Sequence, residues 1–301
     1  MQSQCNYEEA LIQLARNDDR IIVLTAENRA SIRNLPEFMG RRFLDTGIAE
    51  QTMIGMAAGL ALCGRIPVAH ALAAFLTMRA FEFIRTDIGI PCLSVKLIGS
   101  FAGIFSEANG PTHQALEDIS LMGSIPGMEI YCPADEQQMT QVLQMVIWRR
   151  RPAYIRYTSE SAAVEHGTFQ PGHSEILQHG EDAMIFTFGP LLRQAFEAAQ
   201  ILRSSGISAG VINLCSIVPL DEDQIVRSAR RVGLIVTIED HFLYGGLYSR
   251  TCEVLVRNGV RTNVLPIGFE EKWFRPGLLA DVLDYHGLTG PQIADKIRRK
   301  L

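Results

Sequence analysis

The sequence has none of the cysteine or basic patterns that mark common metal-binding, redox or nucleic-acid-binding proteins. Its six cysteines never occur as a C-x-x-C pair, so neither a zinc site nor a redox pair of the usual spacing is expected. Runs of Lys and Arg do not exceed the three arginines at 149–151, and the formal net charge is −5. The chain therefore has no general basic surface for nucleic acid.

A membrane span and a secretion signal are also missing. The longest apolar tract, 54–78, is interrupted by Gly64, Arg65, Pro67 and His70, which is wrong for a membrane span. The chain begins with MQSQCNYEEALIQLARNDD, an acidic amphipathic pattern without the basic and then apolar regions of a signal peptide. We therefore expect a soluble cytoplasmic protein with reduced cysteines and no membrane contact.

Hydrophobic patterning predicts an α/β protein of two domains. Short β-rich apolar runs alternate with helical patterns along the chain, which is typical of mainly parallel sheets with helices on both faces. At 47% hydrophobic content, 301 residues suffice for two cores. The segment 158–175 is a mixture with Ser, Gly, Pro and His and has no apolar period, so it separates the domains. We expect a first domain at 1–160, a linker at 161–178 and a second domain at 179–301.

The individual elements follow from the same patterns. In the first domain the predicted strands are RIIVLT, IPVAHA, LSVKLIG, MEIYC and AYIRY. The predicted helices there are 7–16, 48–62, 74–88, 114–122 and 135–148. In the second domain, helices follow the predicted strands AMIFTFG, AGVINL, GLIVTIE and NVLPIG. The last helix is expected to begin near Thr289, a capping residue, with Pro291 in its first turn.

Glu50 is the one charged residue in the predicted helix 48–62. An acidic residue in a first turn gains roughly 0.3–1 kcal/mol from the helix dipole, which is the ordinary explanation for its position. However, Gly55, Ala58 and Gly59 give this helix little side chain of its own, which suits close packing against another backbone. A carboxylate beside such a surface loses water, and desolvation without a partner is costly. We therefore expect Glu50 to have a partner.

Longer motifs around Glu50 resemble a known enzyme family. The pyrimidine-binding domain of transketolases and deoxyxylulose phosphate synthases is similar to DTGIAEQTMIGMAAGLALCGRIPVAHALAAFLTMRAFEFIR and to NGPTHQALEDISLMGSIPGMEIYCPAD. Their C-terminal domain is similar to GPLLRQAFEAAQILRSSGISAGVINLCSIVPLDEDQI and to VTIEDHFLYGGLYSRTCEVL. The resemblance is strongest to the small subunits of split transketolases, which are encoded as two polypeptides. It implies a thiamine diphosphate enzyme that transfers a two-carbon ketol unit from a ketose to an aldehyde acceptor.

The resemblance implies that five residues contact the cofactor pyrimidine. Glu50 is expected to share a proton with ring nitrogen N1′ and so to promote the imino tautomer that deprotonates the thiazolium carbon. Phe75 is expected to stack on the ring, and an ordinary core phenylalanine is the alternative. Ile48, Leu72 and Met78 complete the pocket wall. This wall is expected to be more aliphatic than in relatives that carry aromatic residues in place of Leu72 and Met78.

Four residues are expected to contact substrate. His113, in GPTHQ, is suited to binding substrate hydroxyls and a developing alkoxide. Arg156, at the end of a strand, matches a family position that binds a phosphate or acid, and a surface salt bridge at the strand end is the alternative. Phe101 and Asn109 stand in SFAGIFSEANGPTHQ where split transketolases usually have His and Asp. Their replacement indicates an unusual sugar or a less polar acceptor.

One half of the expected cofactor site is missing from the chain. The family binds the diphosphate through Mg²⁺ at a GDG segment followed by Asn, and no GDG occurs here. We therefore expect no metal ligands in this chain, and an N-terminal diphosphate-binding subunit as its partner in an α2β2 assembly. The small-residue helix after Glu50 is expected to lie at that contact. A decarboxylative synthase of the deoxyxylulose phosphate type and a non-catalytic regulatory relative are the alternatives.

Overall fold

The structure, a computed structural model, describes residues 5–105, 107–270, 272–273 and 276–301. These residues form two mainly parallel β-sheets with helices packed against them, which confirms the predicted α/β class. None of the helices described is both long enough and apolar enough to cross a membrane.

Helices and strands alternate through the first half of the chain. In order they are α1 (Tyr7–Asn17), β1 (Ile21–Thr25), α2 (Leu35–Met39), β2 (Phe43–Asp45), α3 (Glu50–Leu62), β3 (Ile66–Leu72), α4 (Phe81–Phe83), β4 (Lys96–Ser100), α5 (Asp118–Gly123), β5 (Glu129–Tyr131), α6 (Glu136–Val146) and β6 (Ala153–Arg156). The strands read as continuous apolar runs because the sheet is buried on both faces, and all five residues of β1 are buried.

The second half repeats the alternation. It contains β7 (Glu175–Gln178), β8 (Ala183–Thr187), α7 (Leu192–Ser204), β9 (Ala209–Asn213), β10 (Ser216–Val218), α8 (Glu222–Arg231), β11 (Leu234–Phe242), α9 (Leu247–Arg257), β12 (Asn263–Phe269), α10 (Leu279–Tyr285) and α11 (Gly290–Lys300). Thr289 caps α11 and Pro291 lies in its first turn, as predicted.

The two sheets are linked more closely than the sequence indicates. The first has the order β10-β5-β6-β4-β3-β1-β2 and the second β12-β11-β8-β9-β7. Strand β10 belongs to the C-terminal half of the chain but pairs antiparallel with β5 in the first sheet. Strand β7 lies within the predicted 161–178 linker and pairs antiparallel with β9. The N-terminal half therefore forms its sheet with the help of a C-terminal strand.

The segment predicted as the regular helix 74–88 is not a regular α-helix. It consists of two π-helical turns, Phe75–Arg79 and Ile84–Gly89, on either side of α4. The Ala80 amide donates to the Phe75 carbonyl at 3.3 Å, five residues back. Such wide turns are uncommon and occur often at functional sites. This one determines how Phe75 and Arg79 face each other.

The candidate site lies at one edge of the first sheet. Strands β2, β3, β4 and β6 belong to one parallel set, so their carboxyl ends lie at the same edge. Glu50 follows β2, Phe75 follows β3, Phe101 and His113 follow β4, and Arg156 ends β6. Ligands of open parallel sheets bind at this edge. The topology thus brings together residues that are more than 100 positions apart in the sequence.

Candidate active site

Glu50 is the first residue of α3 and its side chain is only 2% exposed. Its partner within the chain is Arg79, which donates from Nη1 to Glu50 Oε2 at 2.7 Å. The Arg79 side chain is 38% exposed. A buried carboxylate is thus neutralised by a guanidinium that reaches in from the surface, as the cost of burying an unpaired charge requires.

The second carboxylate oxygen of Glu50 is available. Within the described part of the chain, Oε1 has no hydrogen-bond partner, although it belongs to a nearly buried side chain. Oε1 is not among the fully buried polar atoms that lack a partner, so solvent reaches it and the donor of a ligand can reach it as well. The arrangement therefore fits a ligand that brings a hydrogen-bonding ring nitrogen to Oε1 while Arg79 retains Oε2.

Phe75 provides a partly exposed aromatic surface beside this carboxylate. The Arg79 guanidinium lies 4.2 Å from the centre of the Phe75 ring, a cation–π contact. The His113 ring packs edge-on against Phe75, with the ring centres 5.1 Å apart. Glu50, Arg79, Phe75 and His113 therefore form one continuous cluster, and three of the four were predicted from the sequence.

His113 is held at the end of the Glu107–Thr112 turn. Its Nδ1 lies 2.8 Å from the Thr112 hydroxyl, and its amide donates to the Gly110 carbonyl at 3.0 Å. The ring remains partly exposed on the Phe75 side of the cluster. This geometry suits hydrogen bonding of Nε2 to a ligand that lies on Phe75.

The remaining predicted cofactor residues differ in how closely they join the cluster. Met78, like Phe75, packs on a group of buried alanines (Ala73, Ala74, Ala102 and Ala115). Leu72 ends β3 and is half-buried at the same edge. Ile48 precedes α3 and is 71% exposed. Its place in the pocket wall remains a prediction, because its exposed side chain is not packed in the core of this chain.

Arg156 lies in a buried ion network. Its guanidinium is buried and donates to both carboxylate oxygens of Asp118, at 2.9 and 2.6 Å, and to Asp240 Oδ1 at 2.6 Å. Asp240 lies in β11, so this network joins the two sheets. The salt bridge is buried and so differs from the surface salt bridge named as the alternative, and a contact of Arg156 with a substrate phosphate remains a prediction.

Burial and the contact with Arg156 have opposite effects on the pKa values of the two carboxylates in this network. Burial raises the pKa of the Asp118 carboxyl, but the bidentate Arg156 pair and a hydrogen bond from Tyr154 outweigh burial and keep the pKa below its ordinary value. Asp240 receives only one bond from Arg156, and burial raises its pKa to about 6. The single positive charge of Arg156 is therefore shared by two buried carboxylates.

Phe101 and Asn109 lie on the loop between β4 and His113. The Phe101 side chain is 41% exposed, and its backbone φ of +56° lies in the left-handed region that few non-glycine residues adopt. Asn109 is exposed in the Glu107–Thr112 turn. Both are placed near His113 along the chain, and their contact with substrate remains a prediction.

Sequence reasoning missed Arg79 and Asp240. Arg79 carries the charge opposite to Glu50 and follows Phe75 by four residues in a predicted helix, a spacing that places two side chains on one face. That signal was available. Asp240 offered none, because its importance depends on how the two domains pack.

Among the residues described, no cluster of three or more His, Cys, Asp or Glu side chains is arranged to hold a metal ion.

Comparisons with known proteins identify the family of both halves of the chain. A family model for the transketolase pyrimidine-binding domain matches residues 1–164, and one for the transketolase C-terminal domain matches residues 172–293. The putative transketolase C-terminal section of Methanocaldococcus jannaschii is 35% identical, over 98% of this chain and 95% of that protein. The 6-deoxy-6-sulfo-D-fructose transketolase subunit SqwH of Clostridium sp. (strain MSTE9) is 35% identical, over 95% and 90%.

Longer relatives match as well. The 1-deoxy-D-xylulose-5-phosphate synthase of Gloeobacter violaceus is 33% identical over 98% of this chain, which spans 47% of the length of that enzyme. Among solved structures, a split-gene transketolase described as an inactive β4 tetramer superimposes with a TM-score of 0.85 at 34% identity. It covers 97% of this chain and 95% of its own. A Campylobacter jejuni transketolase shares the fold, with a TM-score of 0.82 at 18% identity over 97% of this chain and 45% of its own.

Proposed function

The chain belongs to the transketolase family, and we propose that it is the C-terminal component of a two-component transketolase. In this role it transfers a two-carbon ketol unit from a ketose to an aldehyde acceptor. The observation that carries the proposal is the buried Glu50 carboxylate, with one oxygen paired to Arg79 and the other available beside Phe75 and His113. The two relatives that the chain matches over 95% and 90% of their length are a putative transketolase C-terminal section and a transketolase subunit.

The proposed cofactor is thiamine diphosphate, which supplies a nucleophilic carbon that carries the ketol unit. Glu50 would hold the pyrimidine through Oε1, and Phe75 would support its ring face. Leu72, Met78 and Ile48 would close the wall around it. Arg79 fixes the Glu50 side chain from the other side, so that the buried carboxylate stays in one orientation.

Substrate contacts are assigned to the residues that follow β4. His113 would hydrogen-bond to substrate hydroxyls from its partly exposed ring, and Asn109 would add an amide that both donates and accepts. Phe101 contributes apolar surface where a histidine is expected. We therefore propose an unusual or less polar sugar as substrate, in a cytoplasmic enzyme.

The diphosphate and its Mg²⁺ would be held by a second polypeptide. This follows from the missing GDG segment, since a hard cation needs a set of oxygen ligands that this sequence does not offer in the family pattern. The exposed face of α3 supports such a contact: Gly55 and Gly59 have open space around them and Met56 is exposed. We propose that this face meets an N-terminal subunit in an α2β2 assembly.

Cofactor binding tests the two-component proposal directly. Isothermal titration of this chain alone with thiamine diphosphate and Mg²⁺ is expected to show only weak binding, because the chain addresses the pyrimidine but not the diphosphate. Addition of a diphosphate-binding transketolase subunit from the same genome is expected to give tight binding and ketol transfer. Submicromolar affinity of the isolated chain would contradict the proposal.

A decarboxylative synthase is the second candidate, because the match to deoxyxylulose phosphate synthases covers nearly the whole chain. The same residues would serve both reactions, so the donor distinguishes them. An assay of the reconstituted pair with pyruvate against a ketose donor decides: carbon dioxide release from pyruvate at a rate above ketol transfer would favour the synthase. A pair that binds cofactor with neither activity would indicate a regulatory relative.

A further inference from the structure

A cavity of about 120 Å³ lies between the two domains, next to the candidate active site. This volume is below that of a typical small-molecule site, so the cavity has room for one end of a ligand but not for a whole ligand. The aromatic rings of Phe101 and Phe105 form its apolar wall, Arg156 and Asp240 lie at its buried end, and Ser159 and Glu160 are exposed at its opening. The cavity thus combines one apolar side, one polar entrance and a buried ion network.

The cavity is adjacent to the proposed cofactor site through Ala102. This residue lines the cavity, and it also belongs to the alanine cluster on which Phe75 and Met78 pack. A substrate whose reacting carbon lies near Phe75 and His113 would therefore extend past Ala102 toward Phe101. The far end of such a substrate would enter the cavity.

The wall carrying Phe101 is held in a constrained conformation. Phe101 has a φ of +56°, a conformation that is costly for a bulky residue and is retained mainly at functional sites. Two residues later, a Cβ at Gly103 would lie 1.7 Å from Asp240 Oδ2, so only glycine permits this backbone to approach the carboxylate. Asp240 therefore supports the segment that presents the Phe101 ring.

The charges around the cavity do not suit a phosphate. Among the described residues that line it, Arg156 is the one cation, and its guanidinium is already shared by Asp118 and Asp240. Glu160 adds an exposed carboxylate at the opening and has no ion-pair partner in the described ranges. A phosphate monoester here would meet more negative than positive charge and would find no free guanidinium.

We propose that this interdomain cavity binds the distal end of the acceptor aldehyde and selects an uncharged, unphosphorylated group with apolar surface. The proposal rests on the proposed function, since it names the substrate class of the same site. In this proposal Arg156 closes the cavity, and because its guanidinium is shared by two carboxylates, it does not bind a substrate anion. Phe101 and Phe105 provide the contact area, and Ser159 is available for hydrogen bonds.

Matched acceptors that differ only in the phosphate test this selection. With the reconstituted two-subunit enzyme and the neutral donor L-erythrulose, kcat/KM is measured for D-erythrose and for D-erythrose 4-phosphate. The uncharged sugar is expected to be the better acceptor by about tenfold or more, the effect of one unfavourable charged contact. A preference for the phosphate ester would overturn the proposal.

A variant at the opening tests the electrostatic cause. Ser159→Arg adds a guanidinium at the opening, where it offsets the charge of Glu160, and is expected to raise kcat/KM for the phosphate ester relative to erythrose by about tenfold. Ser159→Gln adds bulk without charge and controls for size, so its ratio of the two kcat/KM values is expected to stay near that of the wild type. Equal ratios in all three proteins would show that the cavity does not hold the distal group.

Binding without turnover separates this proposal from the proposed function. Saturation-transfer NMR with the full chain compares D-erythrose and D-erythrose 4-phosphate in the wild type and in Ser159→Arg. Absence of ketol transfer with every donor and acceptor would contradict the transketolase proposal. The relative saturation of the two sugars would still test whether the cavity prefers the uncharged one. Stronger saturation of the phosphate ester by the wild type would overturn the cavity proposal even if ketol transfer is observed.

Discussion

Arg79 donates from Nη1 to Oε2 of Glu50 at 2.7 Å, and the two side chains differ sharply in exposure, at 38% and 2%. The pair is therefore asymmetric. Loss of the carboxylate releases a guanidinium that can turn to water at little cost. Loss of the guanidinium leaves a buried carboxylate without its counter-charge, which is a much larger penalty. This asymmetry separates the chemical role of Glu50 from the supporting role of Arg79.

Glu50→Gln is expected to keep the fold and to lower the turnover of the reconstituted enzyme by about a hundredfold or more. An amide cannot share a proton with a ring nitrogen as a carboxyl group does, and the loss of an acid or base costs about this much. The measurement is kcat together with the melting temperature. Glu82→Gln, which removes an exposed partner of Arg85, is the matched control. Activity above about one third of the control would return Glu50 to a helix-dipole role.

Arg79→Met is expected to weaken binding of thiamine diphosphate to the reconstituted pair by about tenfold, because Glu50 loses the contact that holds its carboxylate in place. Titration calorimetry measures the affinity, and Arg79→Lys is expected to recover part of it. Arg85→Met changes a similar but exposed arginine and serves as the control. Unchanged affinity in Arg79→Met would show that Glu50 does not need this support.

Arg156→Met is expected to destabilise the chain by about 3–5 kcal/mol, since it leaves Asp118 and Asp240 buried without their shared cation. Denaturant unfolding measures the free energy. Arg298→Met, which removes an exposed ion pair with Asp295, is expected to change it by less than about 1 kcal/mol. If Arg156→Met instead kept its stability and raised only the KM for a phosphorylated substrate, the prediction of a phosphate contact would be supported.

His166 is expected to make the contact between the domains pH-dependent. It lies between Asp135, the N-cap of α6, and Glu175 in β7, at 2.7 Å from each. Burial lowers the pKa of His166, but the hydrogen bonds that its ring donates to the two carboxylates outweigh burial and raise the pKa from its ordinary 6.5 to about 9. Since the folded pKa is the higher one, the stabilisation is fully present below about pH 6.5 and is lost as the pH rises through about 9.

The measurement for His166 is the difference in melting temperature between the wild type and His166→Gln. This difference is expected to be largest near pH 6 and to shrink toward pH 9.5. The raised pKa of Asp240 contributes equally to both proteins, so it cancels from the difference. A difference that grows with pH, or that does not change, would contradict the assignment of a charged His166.

Much of the molecule could be predicted from the sequence because its signals are local. Continuous apolar runs such as Ile21–Thr25 indicate strands buried on both faces, and the Thr289 and Pro291 pattern indicates where the last helix begins. A charge at the head of the apolar helix α3 indicated a buried carboxylate in need of a partner. Motifs around Glu50 and His113 then indicated the family, and the strand order brings both residues to one edge of the sheet.

Only the tertiary structure decided which groups neutralise each other. The four-residue spacing places Arg79 on the face of Phe75, but only the fold shows that the π-helical turn directs its guanidinium past Phe75 to Glu50. Arg156 was expected to contact substrate because it ends a strand and matches a family position that binds a phosphate or acid. Strand β11 packs against the edge where β6 ends and brings Asp240 next to Arg156, so that the two residues form a buried ion pair. Sequence periodicity determines which side chains are buried, whereas the pairing of buried charges depends on contacts between segments far apart in the chain.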